Sequence, residues 1–335
     1  MYKILVVSPS WVGDTMLAQP MFARLKQRHP GCRIDVFAPP WTEALLRQMP
    51  EVHDVIINPF PHGALQIGAR MKSGKKLREA NYDQVIVLPN SFKSALTPYF
   101  ASIPTRTGYR GEMRYGLLTD ARKLDKRELP LMVERFAQLA EAPSHPVHRP
   151  VPRPHLHVSE EQRLSALQKF SLALDKPVAI FCPGAEYGPA KRWPIPYFAE
   201  LAQRLQGQNY VVWVVGSAKD KEVAEKILAL GNPHCRNLCG ATDLAEVIAL
   251  LSCASLVISN DSGLMHLTAA LDRPMLALFG SSSPQFTPPL SDQAQVIQLD
   301  LPCSPCFERV CPLGHFNCMM QLTPARVAKF LSPKA

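Results

Sequence analysis

Short runs of branched apolar residues alternate with amphipathic segments along most of this chain, and that rhythm limits its fold more than any other feature. "YKILVVS", "RIDVFA", "HDVIIN" and "YDQVIVLP" are each about as long as one strand. Between them lie segments of helical periodicity over about residues 15–28 and 42–49, and "SFKSALTPYFA" follows the fourth run. Strands that alternate with helices imply crossover connections and hence parallel βαβ units. Strand interiors with almost no polar alternation suit a sheet covered on both faces.

The rhythm stops in "APSHPVHRPVPRPHLH", residues 142–157, where the prolines sustain neither a helix nor a central strand. It then restarts with "PVAIFCPG", a helix over about 195–205, "YVVWVVGS", a helix over 220–230, "SLVIS", a helix within "NDSGLMHLTAAL", and "PMLALFG". A chain of 335 residues is also too long for one ordinary core. The expected architecture is α/β: two Rossmann-like, doubly wound parallel-sheet domains at residues 1–141 and 158–335, joined by a Pro-rich linker at 142–157. Their C-terminal strand edges would face one cleft, where ligands of such folds bind.

Several function classes lose support. The loop after the first strand, "SPSWVGDTMLAQP", carries only Gly13 and lacks the G-x-G-x-x-G spacing of a dinucleotide site. The N-terminus reads as a first strand rather than a signal peptide, and no apolar run approaches the roughly 18–20 residues needed to span a bilayer. A cytoplasmic address follows as an expectation. The 37 basic and 28 acidic residues leave a net charge of +9, which favours an anionic partner. No basic–aromatic motif marks a nucleic-acid binder.

Three loops could carry chemistry. In the first, Asp14 stands near a helix start, either as an N-cap or as a carboxylate able to take a proton from a hydroxyl nucleophile. In the second, "CPGAEYGPAKRWP", Gly184 and Gly188 permit a tight turn and Lys191 and Arg192 precede a helix opened by Pro194, a combination suited to a diphosphate. In the third, "ISNDSGLMHLTAAL", Ser262 or Asp261 as N-cap would leave the amides of Gly263, Leu264 and Met265 at the positive end of a helix, with His266 one turn on from Ser262. Asp261 puts a negative charge where an anion would sit, so it is expected to contact Lys191 or the loop backbone.

Together "PSWVGD", "LPNSFKSAL", "RTGYRGEMRYGLL", "PGAEYGPAKRWP", "NDSGLMHLTAAL" and "SSSPQFTPPL" resemble the lipopolysaccharide heptosyltransferases of glycosyltransferase family 9, in the ADP-heptose:LPS heptosyltransferase II branch. The resemblance runs from the first strand to about residue 290. It implies a GT-B fold with acceptor bound mainly by the first domain and nucleotide sugar by the second. It further implies inverting transfer of L-glycero-D-manno-heptose from ADP-heptose to the first heptose of heptosyl-Kdo2-lipid A, with no metal and no cofactor. The enzyme would be cytoplasmic, peripheral at the cytoplasmic face of the inner membrane.

By the same resemblance Asp14 is the general base and Lys191 stabilises the departing diphosphate. Donor contacts fall to Ser10, Gly184, Arg192, Ser217, Asp220, Asp261, Ser262, Gly263, Leu264, Met265 and His266. Acceptor contacts fall to Lys93, Arg106, Arg110 and Arg114, while Arg70, Lys72, Lys75, Lys76 and Arg78 form either a solvated helix face or a further surface for an anionic acceptor. The alternatives are a heptosyltransferase acting at another core step and a GT-B-like nucleotide-sugar epimerase. The tail "CSPCFERVCPLGHFNCMM" is not settled by the family pattern. Its Cys303, Cys306, Cys311 and Cys318, with His315, could be reduced thiols, a structural metal site or disulfides.

Overall fold

In the computed structural model, which describes residues 1–61, 63–231 and 235–331, the chain divides into two compact units, Met1–Pro154 and His155–Ala335. The first is built on six parallel strands: β1 (Lys3–Val7), β2 (Arg33–Ala38), β3 (Asp54–Ile57), β4 (Gln84–Val87), β5 (Thr105–Tyr109) and β6 (Asp120–Arg122). They lie in the order β3-β2-β1-β4-β5-β6. Ile4 sits between Ile34 on one side and Gln84 on the other. Ile4, Leu5 and Val6 are wholly buried, so both faces of β1 are covered, as its unbroken apolar run requires. Each such side chain contributes about 1.5–3 kcal/mol.

The strand order reverses between β1 and β4. The connections from these two strands depart in opposite directions, and the loops that follow them, around 8–14 and 88–93, are therefore the ones a ligand of this fold would meet. The helix expected over 15–28 is two helices, Val12–Leu17 and Gln19–Arg28. Pro20 lies in the first turn of the second, where its missing N–H costs nothing, and it favours a new start over continuation. The segment expected as a helix over 42–49 shortens to a 3-10 turn at Pro40–Thr42 and a helix at Glu43–Leu46.

Most of the Pro-rich stretch is fastened to this first unit. Arg24 donates to the carbonyls of His148 and Pro150 at 3.0 and 2.9 Å. Arg149 pairs with Glu134 at 2.6 Å, and Val147 packs with Leu129 and Ala137.

The second unit repeats the plan with β7 (Val178–Cys182), β8 (Val211–Val214), β9 (Cys235–Asn237), β10 (Leu256–Asn260), β11 (Met275–Phe279) and β12 (Ala294–Gln298). Their order is β12-β11-β10-β7-β8-β9, which reverses between β7 and β10. Phe181, Phe198, Trp193, Leu201 and Val214 share its core with Met319, Leu322 and Val327 from the tail. Trp193 Nε1–H donates to the Leu322 carbonyl at 2.6 Å, and the Tyr197 hydroxyl to that of Met320 at 2.9 Å. The tail thus completes the core rather than trailing from it. Among the described residues no helix is long and apolar enough to cross a membrane.

Candidate active site

The switch point of the second sheet is organised by one buried amide. Asn260, the last residue of β10, has no exposed surface. Its Nδ2 donates to the Pro183 carbonyl at 2.7 Å, while its Oδ1 accepts the Trp193 N–H at 3.1 Å. It therefore spans the start and the end of the loop after β7. Losing either bond would strand a buried polar group at about 1–3 kcal/mol. Asn260 was not singled out from the sequence, although an Asn ending an apolar strand is a readable sign of a satisfied polar anchor.

Within the loop so held, Lys191 closes the 3-10 turn Pro189–Lys191, and its Nζ lies 2.5 Å from Asp261 Oδ2. Asp261 is thereby accounted for: its carboxylate orients the lysine, as expected. Ser262 is the N-cap of helix Gly263–Ala270, and its side chain makes no capping bond. The Ser262 hydroxyl lies 3.3 Å from that of Ser259 instead, so the positive end of the helix is left to other partners. Met265 is fully buried and could offer a ligand only its backbone, whereas Gly263 and Leu264 are half-buried. Arg192 is exposed and reaches the Ala185 carbonyl at only 3.4 Å.

His266 is buried beside this pair. Burial pushes its imidazole down to about 4, with Asp261 pulling it up and Lys191 pushing it down. It is therefore neutral near pH 7 and supplies a hydrogen-bonding ring, not a positive charge.

Gly184 is required by close approach. A Cβ there would lie 2.6 Å from Asp220 Oδ2. That carboxylate in turn accepts from the Ser217 N–H and hydroxyl at 2.9 and 2.8 Å. Asp220 and Ser217 thus lock each other and form the surface against which the loop after β7 rests.

In the first unit Asp14 is the third residue of helix Val12–Leu17, whose N-cap is Trp11. The N-cap role considered for Asp14 is therefore corrected: Asp14 lies in the first turn of the helix, half-buried. The Ser10 carbonyl accepts the Trp41 indole N–H at 2.8 Å.

The basic residues divide. Arg114 is 2% exposed, and its guanidinium binds the carbonyls of Pro89 and Tyr109 and the Asn90 side chain. Arg106 binds the carbonyls of Leu117 and Ile103, both at 2.6 Å. Arg70 binds those of Leu65 and Ala64 and stacks on Phe60. These three hold loops in place. Arg110, Lys72, Lys75, Lys76 and Arg78 are exposed and Lys93 is half-buried.

In the tail Cys318 lies near enough to Cys303, Cys306 and Cys311 to feel their charge. Among the described residues no group of three or more His, Cys, Asp or Glu side chains is arranged to hold a metal ion, and Cys303, Cys306, Cys311 and Cys318 are free thiols. The Phe316 N–H points at Cys311 Sγ at 3.4 Å, and such backbone amides hold that thiol below its usual range. Burial raises Cys318.

Comparison with known proteins gives the family and the fold. The profile of glycosyltransferase family 9 (heptosyltransferase) matches residues 70–317. Lipopolysaccharide heptosyltransferase 2 of Salmonella typhimurium is 49% identical, over 98% of this chain and 97% of that protein. Lipopolysaccharide heptosyltransferase 1 of Pseudomonas aeruginosa is 30% identical over 97% of this chain and 96% of its own length. The solved structure of ADP-heptose LPS heptosyltransferase II from Escherichia coli superimposes with a TM-score of 0.89 at 47% identity, covering 98% of this chain and 97% of that one. The GT-B architecture expected from the sequence is the fold observed.

Proposed function

From the premise that this chain belongs to glycosyltransferase family 9, the heptosyltransferases, we propose that it transfers heptose from ADP-heptose to the first heptose of the lipopolysaccharide inner core, on heptosyl-Kdo2-lipid A. The observation that carries this reading is the Lys191–Asp261 pair at the open start of helix Gly263–Ala270. An oriented ammonium and unpaired amides at a switch point suit the diphosphate of a nucleotide sugar. The step is favoured by 49% identity to a type 2 relative against 30% to a type 1 relative.

The transfer inverts the anomeric centre and needs no metal. Asp14 accepts the proton of the acceptor hydroxyl as its oxygen attacks the anomeric carbon. The bond from that carbon to the diphosphate breaks on the opposite side. The charge that develops on the leaving phosphate is met by Lys191, Arg192 and the amides of Gly263 and Leu264. Ser217, Asp220 and His266 complete the donor site of the second unit, with Ser217 and Asp220 acting on the loop conformation. Lys93 and Arg110, less buried than Arg114, meet the anionic acceptor, with Arg110 Nε also donating to the Ala121 carbonyl at 3.1 Å. The net charge of +9 supports peripheral work at the cytoplasmic face of the inner membrane.

Incubation with ADP-heptose and Kdo2-lipid A acceptors carrying zero, one or two heptoses tests the step. Product from the one-heptose acceptor is expected. Product mainly from either of the others would reassign the step, and donor conversion with no acceptor present would favour an epimerase.

A further inference from the structure

The reaction as proposed gives no role to the segment after β12, yet part of that segment lies on the Lys191 loop. The Ala190 N–H donates to the Arg309 carbonyl at 3.0 Å. The Tyr187 hydroxyl donates to the Phe307 carbonyl at 2.5 Å. A Cβ at Gly188 would lie 2.4 Å from the Arg309 carbonyl oxygen, so only glycine lets the two backbones meet here. On its other side the segment is tied to the loop after β11: the Phe307 N–H donates to the Ser281 carbonyl at 2.6 Å and the Ser304 hydroxyl to that of Gly280 at 2.7 Å. It is therefore anchored to two neighbouring loops at the C-terminal edge of the second sheet.

None of these bonds uses the Arg309 side chain. Its guanidinium carbon lies 5.2 Å from the centroid of the Tyr187 ring, and Lys191 Nζ lies 5.0 Å from the same centroid. The two cationic centres consequently stand no more than about 10 Å apart, a span that one diphosphate placed between them could bridge. Lys191 is already neutralised by Asp261, whereas Arg309 is exposed and has no carboxylate partner among the described residues. The Lys191–Asp261 pair itself carries little net positive charge, which leaves Arg192 and the helix amides to meet a diphosphate of higher charge. An exposed guanidinium braced on an aromatic face supplies further positive charge and a fork of donors matched to phosphate oxygens.

We propose that Arg309, carried by the C-terminal tail and braced on Tyr187, is a further cationic contact for the donor diphosphate beside Lys191 and Arg192. The inference rests on the diphosphate reading of the Lys191 loop. It also gives the cysteine-bearing tail a purpose, since docking through Gly188 and Ala190 is what delivers Arg309.

The test is calorimetric titration of the full chain with ADP and with AMP, comparing wild type, Arg309→Gln and Arg309→Lys. The docking bonds use the Arg309 main chain, so the variants should keep the wild-type melting temperature. Arg309→Gln is expected to weaken ADP roughly tenfold or more, AMP much less, and to flatten the salt dependence of ADP binding. Arg309→Lys should recover part of the loss. In turnover assays the donor KM should rise more than kcat falls. Unchanged ADP affinity, or equal losses for ADP and AMP, would overturn the inference while leaving the donor assignment standing. A wild-type chain that does not bind ADP would remove the donor assignment and the inference together.

Discussion

Replacing Lys191 by Met keeps most of the side-chain volume but takes away the partner of a carboxylate that is only 4% exposed. Breaking one side of a buried ion pair costs about 3–5 kcal/mol, because the remaining charge is left without compensation. Lys191 is itself 17% exposed, so water can reach Asp261 in the variant, and the loss should fall near the lower end, about 3 kcal/mol. Urea unfolding followed by tryptophan fluorescence reads it, since Trp193 and Trp213 are both buried in the second unit. Lys191→Met/Asp261→Asn should recover most of the loss, because neither charge then remains. His266 reports on the same pair: Lys191 holds its imidazole down and Asp261 holds it up. An NMR titration of that ring should therefore move upward from about 4 in Lys191→Met and downward in Asp261→Asn. Turnover by Lys191→Met should fall roughly 10²–10³-fold, the usual effect of removing one charge-stabilising group. A stability within about 0.5 kcal/mol of wild type, together with an unmoved His266 titration, would refute the pairing and the role built on it.

Acid should destabilise the second unit through His266. Its folded value of about 4 lies below the ordinary 6.5, so the unfolded chain takes the proton first; stability is full above about pH 6.5 and drains as the pH falls to about 4, by roughly 3 kcal/mol. His266→Gln should show a shallower loss over that window, and parallel curves for the two proteins would argue against a buried neutral ring. Gly184→Ala forces a methyl to within 2.6 Å of Asp220 Oδ2; unfolding should show a loss of about 1–3 kcal/mol, with ADP binding weakened, and wild-type values for both would mean that the loop has more room. Transfer should persist in excess EDTA, and loss of activity restored by added divalent metal would contradict charge stabilisation by protein groups alone.

The parts legible in the sequence were those where local chemistry and tertiary role coincide. β1, β2, β7 and β11 are covered on both faces, so their apolar runs stand out. Asp261 was legible as a conflict, a negative charge at an anion site, and conflicts of that kind usually name their own partner. The strands β5, β6, β9 and β12 were not picked out: β6 and β9 are three residues long at sheet edges, and β5 and β12 mix Thr, Arg and Gln with apolar residues. A period of two has too few residues there to show itself. Arg106 and Arg114 looked like cations awaiting an anionic ligand and Arg70 like part of either a solvated helix face or such a surface, because charge counts do not reveal which backbone carbonyls lie within reach of a guanidinium. The tail's part in the core was missed for a similar reason. Its cysteines drew the eye, while the residues that bind it to the core, Met319, Leu322 and Val327, are ordinary apolar side chains scattered over nine positions.

The most direct measurement is the mass of heptosyl-Kdo2-lipid A after incubation with ADP-heptose and wild-type protein, run beside Asp14→Ala at saturating donor. The account predicts a gain of one heptose with release of ADP for wild type, and a rate lowered roughly 10²–10⁴-fold for Asp14→Ala, with ADP still bound at wild-type affinity. An Asp14→Ala protein that transfers heptose at the wild-type rate would contradict it, as would a wild-type protein that leaves this acceptor unchanged.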